Sequence, residues 1–218
     1  MAATPGTADL ARNLWERLET LGRPVTFRRH SFIYTPTQPA HALYLLRGGQ
    51  VSLQLLSTNG KILTLKVIEA GQLFGHSALM PNATYDTSAE ALKTVSATVV
   101  PRQAVLSLLE AQPGLSMALI ESFGQHNAMV SRRLEEVAFK SVPARLASLL
   151  LDMAGSSAGA APSHVPHRTH QQLAEMVNAY RETVTKIINQ FRAARLLDID
   201  RSGITLLNPT RLRELAQS

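Results

Sequence analysis

The chain has 218 residues, 45% of them hydrophobic and 17% charged, so it can bury a core and is not a disordered polymer. Lys and Arg outnumber Asp and Glu by 22 to 16, a formal charge of +6 that suits contact with a polyanion. With no cysteine, disulfides, Cys-ligated zinc, thiolate-bound iron–sulfur clusters and a cysteine nucleophile are excluded.

The first residues carry no basic stretch followed by an apolar core. No apolar run approaches the ~20 residues that span a bilayer, so a cytoplasmic protein without a membrane partner is expected. Residues 8–21 read as an amphipathic helix, with Leu10, Leu14, Leu18 and Leu21 on one face and Trp15 beside them.

From residue 25 to 101 the period shortens to two. Strands are expected over 25–28, 32–34, 42–46, 51–56, 62–68, 72–74, 86–91 and 94–100. Turn residues separate them, of which Thr58-Asn59-Gly60 is a strong hairpin signal. Many short strands at close spacing point to a β-barrel or roll. Residues 101–110 then read as a short helix with Pro101 near its start.

Residues 115–140 hold a long helix. Ile120, Phe123, Asn127, Val130, Leu134 and Val137 recur at spacings of 3, 4, 3, 4 and 3, an a/d seam. A seam this narrow favours a two-stranded parallel coiled coil between identical chains, with Asn127 fixing register. Packing of the same face on the chain's own barrel is the alternative. Pro143 makes Val142 a boundary and hinge, and a helix resumes over 144–153. Residues 154–166, rich in Ala, Gly, Ser and Pro, read as a loop.

Residues 169–195 carry the functional argument. Thr169 is suited to cap a helix that buries Leu173, Ala174 and Val177. Asn178 and Ala179 make a turn, since Asn tolerates left-handed angles. A second helix begins near Tyr180 or Arg181. Val184, Ile187, Ile188 and Phe191 share its inner face; Glu182, Thr185, Lys186 and Asn189 share the outer one, with Arg181 at its edge. The pair reads as a helix-turn-helix whose second helix enters the major groove of double-stranded DNA. Arg and Lys can donate to guanine, and Glu can accept from cytosine. Thr169, His170 and Gln171 stand where the first helix approaches phosphate. A hairpin over 196–207 completes a winged arrangement.

The stretch 169–186 resembles the DNA-binding signature of the cyclic-AMP receptor protein and fumarate–nitrate reduction regulator (CRP/FNR) family, through Arg181-Glu182-Thr183-Val184 and Lys186. The order short helix, β-roll, long helix, hinge and winged helix also matches that family along nearly the whole chain. The resemblance implies an α+β fold. A cyclic-nucleotide-binding-like β-roll (a double-stranded jelly roll) would fill residues 1–112, a dimerisation helix 113–140 and a winged helix-turn-helix 141–218. It implies a homodimer with recognition helices about 34 Å apart. Arg181, Glu182 and Lys186 would read bases, with the hydroxyls of Thr169 and Thr183 near phosphates. RNA polymerase is the implied partner, and activation the implied outcome.

Family members that bind cyclic nucleotides place a Glu after a Phe-Gly turn and an Arg further on. Here Phe74-Gly75 is followed by His76 and Ser77, the Arg position falls on Thr87 beside Ser88, and Asp86 adjoins it. Losing one charge-assisted anchor costs about 1.5–3 kcal/mol, so control by cyclic AMP is not expected and the small-molecule effector is left open. Phe74, Gly75, His76, Ser77, Thr87 and Ser88 are the candidate effector-pocket residues. No cofactor is implied. The alternative within the family is a haem sensor, with His76, His41 or His30 as ligand. Outside it, a ligand-binding or scaffold module is the alternative. An enzyme is not expected, because no Gly-rich phosphate loop or spaced metal-ligand set is present.

Overall fold

The computed structural model describes residues 7–58, 60–155, 164–200 and 202–217, with side chains from residue 12 onward. They group into two compact units. One runs to Leu55 and from Leu65 to Val130; the other takes Leu56–Thr64 and the residues from Ser131 onward.

The first unit opens with α1 (Thr7–Leu21), which buries Leu14 and Leu18. Leu21, placed on the same stripe by its spacing, is 45% exposed because the helix ends there. Leu10 has its side chain outside the described residues. Eight strands follow: β1 (Arg23–Phe27), β2 (Phe32–Tyr34), β3 (Ala42–Gly48), β4 (Val51–Leu56), β5 (Ile62–Ile68), β6 (Leu73–Phe74), β7 (Ser88–Ala91) and β8 (Val95–Pro101). They form two four-stranded sheets, ordered β1-β8-β3-β6 and β2-β7-β4-β5. All eight expected strands are present, with ends shifted by one or two residues. At the β4–β5 turn, Asn59 lies outside the described residues, and Ser57 N–H donates to the Lys61 carbonyl at 2.9 Å.

Alternation along β3 explains why one strand serves two cores. Tyr44 and Leu46 face the interior of the roll, with Tyr34, Phe74 and Tyr85. Leu43 and Leu45 face the helices, with Leu14, Leu18, Val105 and Leu119. Tyr34 stacks on Tyr85 at 3.8 Å between centroids and Tyr44 on Phe74 at 5.0 Å. Such pairs add to area burial by about 0.5–1.5 kcal/mol each. Gly75 turns the chain after Phe74 at φ 82°, and a Cβ there would stand 3.0 Å from the Tyr44 ring.

Helix α2 (Arg102–Ala111) leads to α3 (Ser116–Phe139), the expected long helix. Its seam is largely bare within the chain: Ile120 is 60%, Phe123 42% and Leu134 69% exposed. Asn127 is exposed too, while Val130 and Val137 are half-buried. The break falls at Lys140 and Ser141. Helix α4 (Val142–Gly155) includes Val142 itself, two residues earlier than expected, because Pro143 sits in the first turn, where no N–H is needed.

In the second unit β9 (His164–Pro166) occupies the end of the stretch expected to be loop, whose residues 156–163 lie outside the described ones. It is held by pairing with β11 (Gly203–Leu206), which also pairs with β10 (Leu197–Ile199). Helices α5 (His170–Met176) and α6 (Arg181–Ala193) form the expected pair, and α7 (Pro209–Ala216) follows the wing. Leu146, Leu150, Val165, Leu173, Val184, Ile188, Phe191, Leu206 and Leu212 make one buried core. Gly203 (φ 151°) is required where β11 meets β9, since a Cβ would lie 2.2 Å from the Val165 carbonyl oxygen. No helix among the described residues is long and apolar enough to cross a membrane.

Candidate functional site

The sequence dictates the geometry of the α5–α6 pair in three steps. Thr169 adopts extended angles and its hydroxyl accepts from Gln172 N–H at 3.1 Å; the Gln172 side chain accepts from Thr169 N–H at 3.0 Å. This reciprocal box satisfies two groups that a helix start leaves open. Asn178 then turns the chain at φ 52°. Tyr180, 62% exposed, begins α6 without a side-chain cap, so burial of Val184, Ile187, Ile188 and Phe191 sets that helix's orientation.

Burial on one side fixes what faces out. Arg181, Glu182, Thr183, Lys186 and Asn189 are exposed, and Thr185 is half-buried. Arg181, Glu182, Thr185, Lys186, Asn189 and Gln190 line one open depression, so the five outer-face residues anticipated from helical spacing do share a surface. Thr183 lies outside it. Across the motif, Thr169, His170, Gln171 and Arg181 line a second cleft of about 520 Å³, with Arg168 and the wing residues Ile199, Gly203 and Ile204.

Two contacts were not anticipated. The Thr169–Gln172 box is legible as a Thr-x-x-Gln spacing. The contact of His170 Nδ1 with Thr185 Oγ1 at 2.8 Å joins residues on different helices, and no spacing rule exposes it. The wing turn is held by Asp200, whose carboxylate accepts from Ser202 and Gly203 N–H at 2.7 and 3.1 Å. The Ser202 hydroxyl, which also donates to this carboxylate, and then these two N–H groups hold its pKa below the usual carboxylate range.

In the β-roll the six effector-pocket candidates separate. Phe74 is fully buried in the roll core. Ser77 donates to Asp86 Oδ1 at 2.8 Å and Thr87 to the same oxygen at 3.4 Å. Ser88 is buried on β7, next to Thr87. His76 alone of the six lines the cavity beside α3, of about 390 Å³, with Trp15, Lys66, Gln72, Glu121 and Gln125 among its other walls. His76 is 5% exposed; its Nε2 lies 3.1 Å from Ser122 Oγ, its ring stacks on His126 at 5.1 Å, and Phe123 meets it edge-on at 6.1 Å. Its Nδ1 is buried and has no partner among the described residues. Burial, then the neighbouring His126, pushes the His76 pKa down to about 4. Burial also lowers the Lys66 amine.

Of the other histidines considered as haem ligands, His30 contacts Glu90 at the surface at 3.2 Å and His41 is exposed. Neither lines the cavity at His76. Among the described residues no three His, Cys, Asp or Glu side chains are grouped to hold a metal ion.

A cyclic nucleotide-binding domain model matches residues 24–112, and a Crp-like helix-turn-helix domain model matches residues 144–215. The chain belongs to the CRP/FNR family of transcription regulators. It is a DNA-binding protein of that family, with the family's β-rich domain, long helix and helix-turn-helix. The transcriptional regulator SdrP of Thermus thermophilus is 29% identical over 198 residues, covering 89% of this chain and 94% of the relative. A CRP-like cAMP-activated global transcriptional regulator of Mycobacterium tuberculosis is 24% identical, covering 89% and 88%. The solved structure of the c-di-GMP responsive regulator CLP of Xanthomonas campestris superposes with a TM-score of 0.80 at 19% identity, over 89% of this chain and 98% of that one, which establishes the likeness of fold.

Proposed function

We propose that this CRP/FNR regulator acts as a homodimeric activator, reads DNA through Arg181, Glu182 and Lys186, and is not controlled by cyclic AMP. The exposed polar face of α6, raised on a fully buried inner face, is the observation that carries the DNA-reading part. Thr169, His170, Gln171, Tyr180, Thr183, Thr185 and Asn189 complete the proposed contact set. The exposed seam of α3 supports the dimer, since Ile120 and Leu134 are largely uncovered among the described residues. Phe123 leans on His76 as well, so the N-terminal end of the seam also touches the roll. RNA polymerase is the proposed protein partner.

Independence from cyclic AMP rests on His76 and Thr87. Both are buried, and Asp86 engages Thr87 and Ser77 where a cyclic phosphate would need a cation. A carboxylate there repels an anion. The M. tuberculosis relative is cAMP-activated, so the difference is proposed for this chain and not for the family. Any effector is assigned to the cavity beside His76.

Anisotropy titration against a palindromic duplex with CRP-type half-sites tests this reading. Specific binding without ligand, unchanged by cyclic AMP, is the expected result. Binding that appears only with cyclic AMP would overturn the reading of His76 and Thr87.

A further inference from the structure

Helical spacing puts Thr185 on the reading face of α6, yet its hydroxyl is engaged inside the motif. It donates to the Arg181 carbonyl one turn back at 2.9 Å, and its oxygen lies 2.8 Å from His170 Nδ1. A hydroxyl has a single proton to give. With that proton on the Arg181 carbonyl, the Thr185 oxygen can only accept from His170. Nδ1 therefore carries a hydrogen, and Nε2 is left as the atom that gains or loses a proton.

The surroundings of His170 set what that atom can meet. In the cleft of about 520 Å³ it stands with Arg168 and Arg181, two cations, and with His167. The wing contributes Ile199, Gly203 and Ile204 to that cleft, none of them titratable. On α6, Glu182 and Lys186 are exposed beside Arg181. On α5, Glu175 accepts from Gln171 at 2.7 Å. A phosphate oxygen entering the cleft favours the charged ring, because an imidazolium N–H makes the stronger, charge-assisted bond.

We propose that Thr185 is a positioning residue that fixes His170 with its hydrogen on Nδ1, and that His170 Nε2 takes up a proton from solvent as a DNA phosphate enters the cleft. This rests on the DNA-contacting face proposed above and adds a proton to the binding step. The complex then holds more protons than the free protein, so affinity rises as pH falls. The slope approaches about tenfold per pH unit for each proton taken up.

The test is anisotropy with a random-sequence duplex, since phosphate contact needs no operator, from pH 8 to pH 6 at constant ionic strength. Wild type is expected to bind more tightly as pH falls. His170→Gln keeps a polar side chain that does not titrate and flattens the curve; His167→Gln leaves the slope in place. Thr185→Val removes the acceptor and moves the midpoint to lower pH, and Thr185→Ser restores it. Long-range nitrogen–proton spectra of the free protein should place the His170 hydrogen on Nδ1. A slope that survives His170→Gln, a Thr185→Val curve superposed on wild type, or a hydrogen on Nε2 would each overturn the proposal. Arg181→Ala separates the two readings. If it and His170→Gln both bind as wild type at every pH, the DNA face lies elsewhere and both readings fall; if only the slope fails, the face stands.

Discussion

The α5–α6 pair and the β-roll differ in where they keep their informative residues. In the pair, Arg181, Glu182, Lys186 and Asn189 stand in solvent above a closed core, so their chemistry is available to a partner. In the roll, His76, Ser77, Thr87 and Ser88 are buried; His76 Nε2 meets Ser122, and Ser77 and Thr87 meet Asp86. Two halves of one chain thus keep their polar groups differently, exposed on α6 and buried in the roll. The lesson is to weigh each half of a regulator by its own side chains.

The comparison can be broken most forcefully at α3. Leu134→Asp should convert the dimer to monomers in sedimentation, because the change sets a charge in an apolar seam. It is preferable to Phe123→Asp, since Phe123 also meets His76. An unchanged mass would return the seam to packing within the chain. Next in size, Leu173→Ala should destabilise the second unit by about 2–5 kcal/mol in denaturant unfolding, as expected for a fully buried leucine. A loss below that range would mean that the helix pair's core yields easily to change.

Arg181→Ala should reduce discrimination between operator and random DNA by about 1–3 kcal/mol. Equal weakening on both would make Arg181 a phosphate contact. Thr169→Ala should cost about 1 kcal/mol in thermal stability through loss of the capping box, with Thr169→Ser close to wild type. For the roll, the sign follows from His76, held neutral when folded with a pKa of about 4. The unfolded chain takes up this proton below about 6.5. His76 therefore contributes stability above that pH, and the contribution falls as pH drops toward 4. His76→Gln should flatten the acid limb of stability against pH between those limits. An acid limb of the same slope would place the titrating group elsewhere in the unit.

Much of this was legible in sequence, for reasons that differ by region. The strands were found because each carries side chains that alternate about a sheet, and Thr169, Asn178 and the α6 stripe were found because helix starts and faces obey short spacings. Strand β9 was missed because three residues, His164–Pro166, owe their form to pairing with β11 across a long sequence gap. Helix α7 was overlooked although Asn208 and Pro209 mark its start, with the Asn208 side chain accepting from Arg211 N–H. The His76–Ser122–His126 cluster gave no local signal, since it joins a turn of the roll to α3 across 46 residues. The effector-pocket candidates follow from their place after Phe74-Gly75, and that place says nothing about burial.

Strand β3 has a consequence for how the first unit finds its pairing. Every residue of Ala42–Leu46 is buried, Ala42, Tyr44 and Leu46 on one side and Leu43 and Leu45 on the other. Sliding the strand one way would bring Arg47 to the buried place of Leu46, and burial of that charge opposes the error; sliding it the other way meets no such charge within Ala42–Leu46. Either slide would set Tyr44 among the leucines of the helical side and a leucine against Phe74. Volume and ring shape thus add to the charge of Arg47 in selecting the native alignment of this strand. Enlarging or shrinking a side chain here should blur which partner residues meet, before it lowers the number of apolar groups buried.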